Sequence, residues 1–350
     1  MILSRLLLYP ISIIYSLVIK VRNILFNKGL FKAVKVSANV ISIGNITVGG
    51  SGKTPTVIYM IELLKSMGIK TGVLSRGYRR KTKGYLFVSD GNKIFANVAD
   101  AGDEIYLAAE ECKVPAAVCE KRVEGAQKLI KDAKVEAIIL DDAYQHRWIY
   151  RDLNVLIFDQ RFLVVSKENQ QQMLPMGLMR EPFKECKRAD VILINRKFSP
   201  HKEIPVKISK NFGDKPVFYV GYKANSFVDI KNHTHYKLDD FIGQKSLVVC
   251  GIAKPHSFLS VLENNKIDIS NKLLFTDHKD YESKEISLIR KKFYDTNSNS
   301  VITTQKDAVK LKKYSKELDD IDIYYLKIEL IPEEKEKFEK LILNKLNRKK

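Results

Sequence analysis

Nothing in this sequence supports a disulfide framework or a zinc site. The four cysteines, Cys112, Cys119, Cys186 and Cys250, contain no Cys-x-x-Cys pair. They read as buried small apolar residues of a chain in a reducing compartment. Acidic residues are missing from the N-terminal stretch, where Glu62 is the first. Arg5, Lys20, Arg22, Lys28, Lys32 and Lys35 therefore have no acidic neighbour in sequence to neutralise them. The run Leu6 to Ile19 is uncharged and mostly apolar, yet shorter than the roughly 20 residues that span a bilayer. It suits a helix lying in the membrane interface or buried in a core. No small-residue cleavage site follows, so a secretory signal is not expected. Basic runs interleaved with aromatic rings are also scarce, Tyr78 and Tyr85 being the only hint, which argues against nucleic acid as a partner.

What is present is a chain of 350 residues, 45% hydrophobic and 29% charged, with a net charge of +19. That is enough for a large core and two domains, and too apolar for global disorder. So basic a chain points to a polyanionic partner. With the apolar N-terminus, the basic flank predicts peripheral attachment to an anionic membrane surface.

Short β-rich runs alternate with helical spacing. Strands are predicted at Val40–Ile43, Thr71–Ser75, Ala116–Cys119, Ala137–Leu140, Asn154–Phe158 and Val191–Ile194. Helical spacing, as in Val57, Ile61 and Leu64, separates several of them. This is the pattern of βαβ units and a parallel sheet covered on both faces. Tyr85–Ala96, with Asp90-Gly91 at its centre, reads as an inserted hairpin. A second set follows at Ser246–Cys250, Lys272–Phe275, Val301–Thr303 and Ile323–Leu326. The polar, proline-containing stretch His201–Lys223 marks the junction. The expected organisation is an N-terminal membrane-surface helix (1–24), an α/β parallel-sheet core of P-loop NTPase type (25–222) and a smaller α/β domain (223–350).

The sharpest motif is Thr47-Val48-Gly49-Gly50-Ser51-Gly52-Lys53-Thr54, which follows a predicted strand and opens a predicted helix. Glycines let backbone N–H groups converge on phosphate oxygens, and the helix N-terminus adds its dipole. Lys53 is placed to reach the β- and γ-phosphates, and Thr54 to offer its hydroxyl to Mg²⁺. Pro55 suits a first helical turn and Gly68 a helix stop. Thr47 stands where the usual pattern has Gly. Ala137–Leu140 then runs into Asp141-Asp142, so two carboxylates emerge where ligands bind in such sheets. One of them is expected to hold Mg²⁺. A guanine-reading motif is out of register at Thr304-Gln305-Lys306-Asp307, which favours ATP.

The loop Gly44-Asn45-Ile46-Thr47-Val48-Gly49-Gly50-Ser51-Gly52-Lys53-Thr54-Pro55, opening Thr included, resembles that of the tetraacyldisaccharide 4'-kinases. Further blocks match in order: Ser75-Arg76-Gly77-Tyr78, Gly102-Asp103-Glu104, Asp141-Asp142-Ala143-Tyr144-Gln145-His146, Leu174-Pro175-Met176-Gly177 with Arg180-Glu181-Pro182, Gly251-Ile252-Ala253-Lys254-Pro255, Asp277-His278, and Lys306-Asp307-Ala308-Val309-Lys310-Leu311. Ala143-Tyr144 replaces the family's Gly-Phe and Leu178-Met179 its Pro-Leu; every charged position is kept.

The resemblance implies two α/β/α domains with the site in the cleft between them. It implies transfer of the γ-phosphate of ATP to the 4'-hydroxyl of an acylated glucosamine disaccharide 1-phosphate, at the cytoplasmic face of the inner membrane. It favours Asp103 as the base for the attacking hydroxyl, where the residues alone would favour a helix cap. Glu104 stands beside it, and His278 is expected to orient Asp103 or share its proton. Lys53 and Arg180 would neutralise transferring phosphate, while Glu181 would reach Mg²⁺ through water. Arg76, Tyr78, Asn45, Glu104 and Gln145 are expected around the substrate, with Gln145 and His146 supporting the acidic loop. Arg79, Arg80, Lys81 and Lys83 read equally as solvated. His233 and His235 have His-x-His spacing with no third ligand nearby and read as surface residues. No obligate protein partner is evident. The rival reading, a P-loop ATPase or GTPase acting as an assembly or metallochaperone factor, predicts Cys or His clusters that the sequence lacks.

Overall fold

The computed structural model describes residues 2–277 and 279–347. His278 lies outside the described residues, as does the side chain of Arg5. The chain begins with α1 (Ile2–Asn27), β1 (Asn39–Gly44), α2 (Lys53–Ser66), β2 (Thr71–Ser75), β3 (Leu86–Asp90), α3 (Val98–Ala101) and α4 (Asp103–Cys112). It continues through β4 (Pro115–Val118), α5 (Arg122–Ala133), β5 (Ala137–Asp141), β6 (Leu153–Asp159), α6 (Gln160–Val165), β7 (Val191–Lys197) and α7 (Val206–Ser209). Then come β8 (Val217–Asp229), β9 (His235–Tyr236), β10 (Ser246–Cys250), α8 (Pro255–Asn264), β11 (Asn271–Leu274), α9 (Ser283–Asp295), β12 (Ser300–Thr304), α10 (Gln305–Leu311), β13 (Ile323–Pro332) and α11 (Lys335–Asn347).

The strands join one sheet in the order β11-β10-β12-β13-β8-β7-β6-β1-β5-β2-β4-β3, with β9 added to β8. The pairs are parallel except β8–β13, β8–β9 and β3–β4. β1 lies between β5 and β6. The phosphate loop and the Asp141-Asp142 pair therefore leave adjacent strands at the same sheet edge. β2, β4 and β5 are buried along their whole length, as expected of parallel strands covered on both faces. α2 opens behind Gly52 (φ 99°), and its last turn gives way to Gly68 (φ 74°). Both conformations are easy only for glycine.

β8 was not anticipated. It is 13 residues long and runs through the expected junction. It pairs with β7 on one side and β13 on the other, so the sheet continues across residue 222. α11 returns to the first half, where Phe338, Ile342 and Leu346 join the core formed by β1, β5, β6 and Phe218. The expected hairpin is reduced. β3 pairs with β4, while the return arm makes a single Ser89–Ile94 bridge and a 2.8 Å bond from Phe95 N–H to the Val88 carbonyl. Gly91 takes φ 101°, and the Asp90 carboxylate accepts from Asn92 and Lys93 N–H, which makes the turn between the two arms.

α1 is longer than the uncharged run. Leu8–Asn27 is long and apolar enough to cross a membrane by length and composition. One of its faces is nevertheless fastened to the protein. Ser12, Ile19 and Asn23 are buried. Ser12 Oγ donates to the Met173 carbonyl (3.0 Å), Tyr15 Oη to the Arg180 carbonyl (3.0 Å), and Arg22 pairs with Glu181. On the opposite face Ile14, Leu17, Val18 and Val21 are exposed, an apolar stripe at helical spacing.

Candidate active site

The phosphate loop is built by its neighbours. Asn45 Nδ2 donates to Ser51 Oγ (2.9 Å), and Gln145 Nε2 donates to the Asn45 carbonyl (2.8 Å). Val48 N–H donates to the Leu178 carbonyl (2.7 Å) and Arg180 N–H to the Ile46 carbonyl (2.7 Å). Asn45 and Gln145, expected at the substrate, thus hold the loop and the acidic segment together. Gly49 and Gly50 are open, with nothing near a would-be Cβ. At Gly52 a Cβ would lie 2.0 Å from Asn195 Nδ2 and 2.3 Å from Tyr222 Oη. Asn195, at the end of β7, donates to the Ser51 carbonyl (3.0 Å) and to Tyr222 Oη (2.7 Å).

Opposite the loop lies the acidic pair. Asp141 is buried, and its Oδ1 has no hydrogen-bond partner among the described residues. Burial first, then the charges of Glu104 and Asp142, push its carboxyl up to about 7 against the pull of Lys53 and Arg122. Asp142 takes a left-handed backbone (φ 47°). It accepts from Arg180 Nη1 at 2.8 and 2.9 Å, with Lys53 Nζ at 3.7 Å. Burial raises its carboxyl, but Lys53 and Arg180 outweigh that and leave it below the ordinary range. Arg122, at the start of α5, is buried nearby. Burial lowers it to about 10, although Asp141 and Asp142 oppose the shift, so it stays cationic.

Asp103 opens α4 behind Gly102 and is buried. Its Oδ1 accepts from Glu104 N–H (3.0 Å). Two lysines of α10 cross from the second half: Lys310 Nζ stands 3.2 Å and Lys306 Nζ 3.8 Å from Asp103 Oδ2, and Lys306 also reaches Glu104 at 3.0 Å. The i, i+4 spacing of Lys306 and Lys310 was the available signal for them. Arg122 and Asn195 carried none, since only the fold brings them to the loop.

A cleft of about 1340 Å³ joins these groups. Gly49, Lys53, Arg76, Tyr78, Glu104, Asp142 and Arg180 line it from one half, and Lys254, Asp277 and Lys306 from the other. Arg79 Nη1 reaches the Asp277 carbonyl at 3.4 Å across it, while Arg80 pairs with Glu120 (2.7 Å). Glu181 needs correction. Expected at Mg²⁺, it is fully buried and paired with Arg22 and Arg188, so its carboxylate fastens α1 instead. His233 and His235 are exposed. Among the described residues no group of three or more His, Cys, Asp or Glu is disposed to hold a metal.

Comparison with known proteins agrees with this geometry. The profile of the family described as "Tetraacyldisaccharide-1-P 4'-kinase" matches residues 4–347. Relatives named tetraacyldisaccharide 4'-kinase include one from Chlorobium phaeovibrioides, 34% identical over 95% of each chain. Another, from Halothermothrix orenii, is 35% identical over 93% of this chain and 90% of the relative. A solved structure, the "apo" form of LpxK from Aquifex aeolicus in complex with ATP, is 31% identical with a TM-score of 0.80, covering 98% of this chain and 99% of that one. With a family profile spanning nearly the whole sequence and relatives above 30% identity matched over 90% and 95% of their length, the chain belongs to the tetraacyldisaccharide-1-P 4'-kinase family.

Proposed function

We propose that this chain is a kinase that transfers the γ-phosphate of ATP to the 4'-hydroxyl of a tetraacyldisaccharide 1-phosphate, a step of lipid A synthesis. The observation that carries the reading is the convergence of the phosphate loop, Asp142 and Glu104 on one cleft, with Asp141 and Asp103 buried directly behind them, in a member of this family. Backbone N–H groups of Val48–Thr54 and the N-terminus of α2 hold the phosphates. Lys53 and Arg180 neutralise charge on the transferring group. An alcohol attacks phosphorus well only if its proton has an acceptor, and Asp103 takes it. Lys306 and Lys310 stand beside Asp103, 3.8 and 3.2 Å from its Oδ2, and hold it in place. His278 is assigned as its partner from the sequence. Arg76 and Tyr78 face the sugar and its 1-phosphate.

The oxygen donors suit Mg²⁺: Asp141 has a buried carboxylate oxygen without a hydrogen-bond partner among the described residues, Asp142 adjoins it, and Thr54 brings a hydroxyl. When bound, the ion neutralises phosphate charge. The work divides between an N-terminal helix (1–24), residues 25–222 carrying the phosphate loop, and residues 223–350 supplying α10 and the far wall. The exposed apolar stripe of α1 supports a peripheral position on the cytoplasmic face of the inner membrane, where an acylated substrate stays embedded. No observation favours the assembly-factor alternative.

The test is label transfer from γ-labelled ATP to tetraacyldisaccharide 1-phosphate in detergent micelles. Labelled bisphosphorylated lipid, lost in Lys53→Ala, is expected. Release of free phosphate with no labelled lipid would overturn the reading.

A further inference from the structure

Beyond α1 lies a second apolar surface that the kinase reaction does not use. Phe26 meets Phe31 and Trp148 edge to face, and Phe31 lies tilted against Trp148, with centroids 4.9–5.3 Å apart. Trp148 is still 45% exposed, and Leu30 (67%), Val34 (44%) and Tyr150 (38%) extend the patch. It is built, not frayed. Val34 N–H donates to the Trp148 carbonyl and Tyr150 N–H to the Val34 carbonyl, both at 2.8 Å. Arg147 lies over the Phe26 ring and bonds the Asn23 carbonyl and Asn27 Oδ1 of α1.

The segments that build it carry charge of one sign. Lys28, Lys32 and Lys35 are exposed, and neither residues 1–61 nor 143–151 contain an acid. Lys28 shares the helical face of Leu17, Val21 and Ile24, so the patch carries on from the exposed stripe of α1.

We infer that this aromatic shelf is a second lipid-contacting surface, which seats Trp148 in the headgroup region of an anionic bilayer alongside α1. An amphipathic indole at that depth, ringed by lysines, matches the interface in both polarity and charge. The inference rests on the reading that α1 lies on the membrane. It adds a consequence: Trp148 is two residues beyond the Asp141–His146 segment, so the shelf holds the acidic loop close to the lipid surface.

Trp148 is the sole tryptophan of the chain, so its emission reports on this site alone. The full chain is mixed with vesicles of phosphatidylethanolamine and phosphatidylglycerol, or of phosphatidylcholine only, and binding is followed by flotation. The expected result is flotation with the anionic vesicles, a blue shift of Trp148 and quenching by lipids brominated near the headgroup. Exposed Leu30→Glu should weaken partition on the order of tenfold through lost apolar burial, and Lys32→Gln by about fivefold. Flotation with unchanged, unquenched emission would overturn the shelf and leave α1 as the anchor. No flotation with either vesicle would overturn both, while label transfer in micelles still tests the kinase reading separately.

Discussion

Replacing Glu181 tests the corrected role of this residue. Its carboxylate is fully buried between Arg22 of α1 and Arg188, which is 9% exposed. Removing one member of a buried ion cluster usually costs about 3–5 kcal/mol, because the remaining charge is stranded. Two features lower that here. Arg188 keeps Glu185 at 3.0 Å, and Arg22, 24% exposed, can be partly rehydrated. Glu181→Gln should therefore cost about 2–3 kcal/mol. Arg22→Ala leaves Glu181 with Arg188 and removes one partly screened charge-assisted bond, so about 1–2 kcal/mol is expected. If the two residues act through one contact, the double variant should be less destabilised than the sum by about 1 kcal/mol. Denaturant unfolding of the four proteins in detergent gives these numbers, and limited proteolysis reports release of α1. Additive losses, or a Glu181→Gln protein within about 0.5 kcal/mol of the parent, would refute the tether. A Mg²⁺-specific loss of activity at unchanged stability would restore the metal role.

Gly52→Ala should abolish nucleotide binding, since its Cβ would collide with Asn195 and Tyr222 and the backbone there has φ 99°; isothermal titration with ATP checks this. Asp103→Asn should lower kcat by roughly 10²–10⁴ with little change in the affinity for ATP, as expected on removing a general base. Lys310→Met removes a cation 3.2 Å from Asp103, so kcat should fall while the affinity for ATP holds, which steady-state kinetics beside ATP titration would show. His146 is half-buried, and burial followed by Arg122, Arg151 and Arg76 lowers its imidazole to about 4. The unfolded chain, titrating near 6.5, then binds more protons between pH 6.5 and 4, so stability falls as pH falls through that window. The loss between pH 7 and 5 should be about 2 kcal/mol and absent in His146→Gln. A proton-NMR midpoint near 6.5 for His146 would exclude it.

Much of the architecture was legible because its signals are local. Buried strands such as Thr71–Ser75 and Ser246–Cys250 appear as short β-rich runs, and their observed bounds match those read from the sequence. The phosphate loop declares itself by glycine spacing, and the carboxylate pair by its place at the end of an apolar strand. β8 is harder to read because its β-prone runs Val217–Val220 and Phe227-Val228 are split by Gly221 and the polar Lys223–Ser226 and follow a proline-containing stretch; pairing with β7 and β13 joins them into one strand.

By itself the sequence determined the phosphate-binding chemistry, the parallel-sheet class and the basic, apolar N-terminus, all of which follow from spacing within a few residues. Only the tertiary structure decided which charges meet. Lys310 reaches Asp103 from more than 200 positions away, Arg22 captures Glu181, and Asn195 buttresses Ser51. Such pairings follow from strand order and helix docking, and nothing in local sequence encodes the distance between two side chains that the fold brings together.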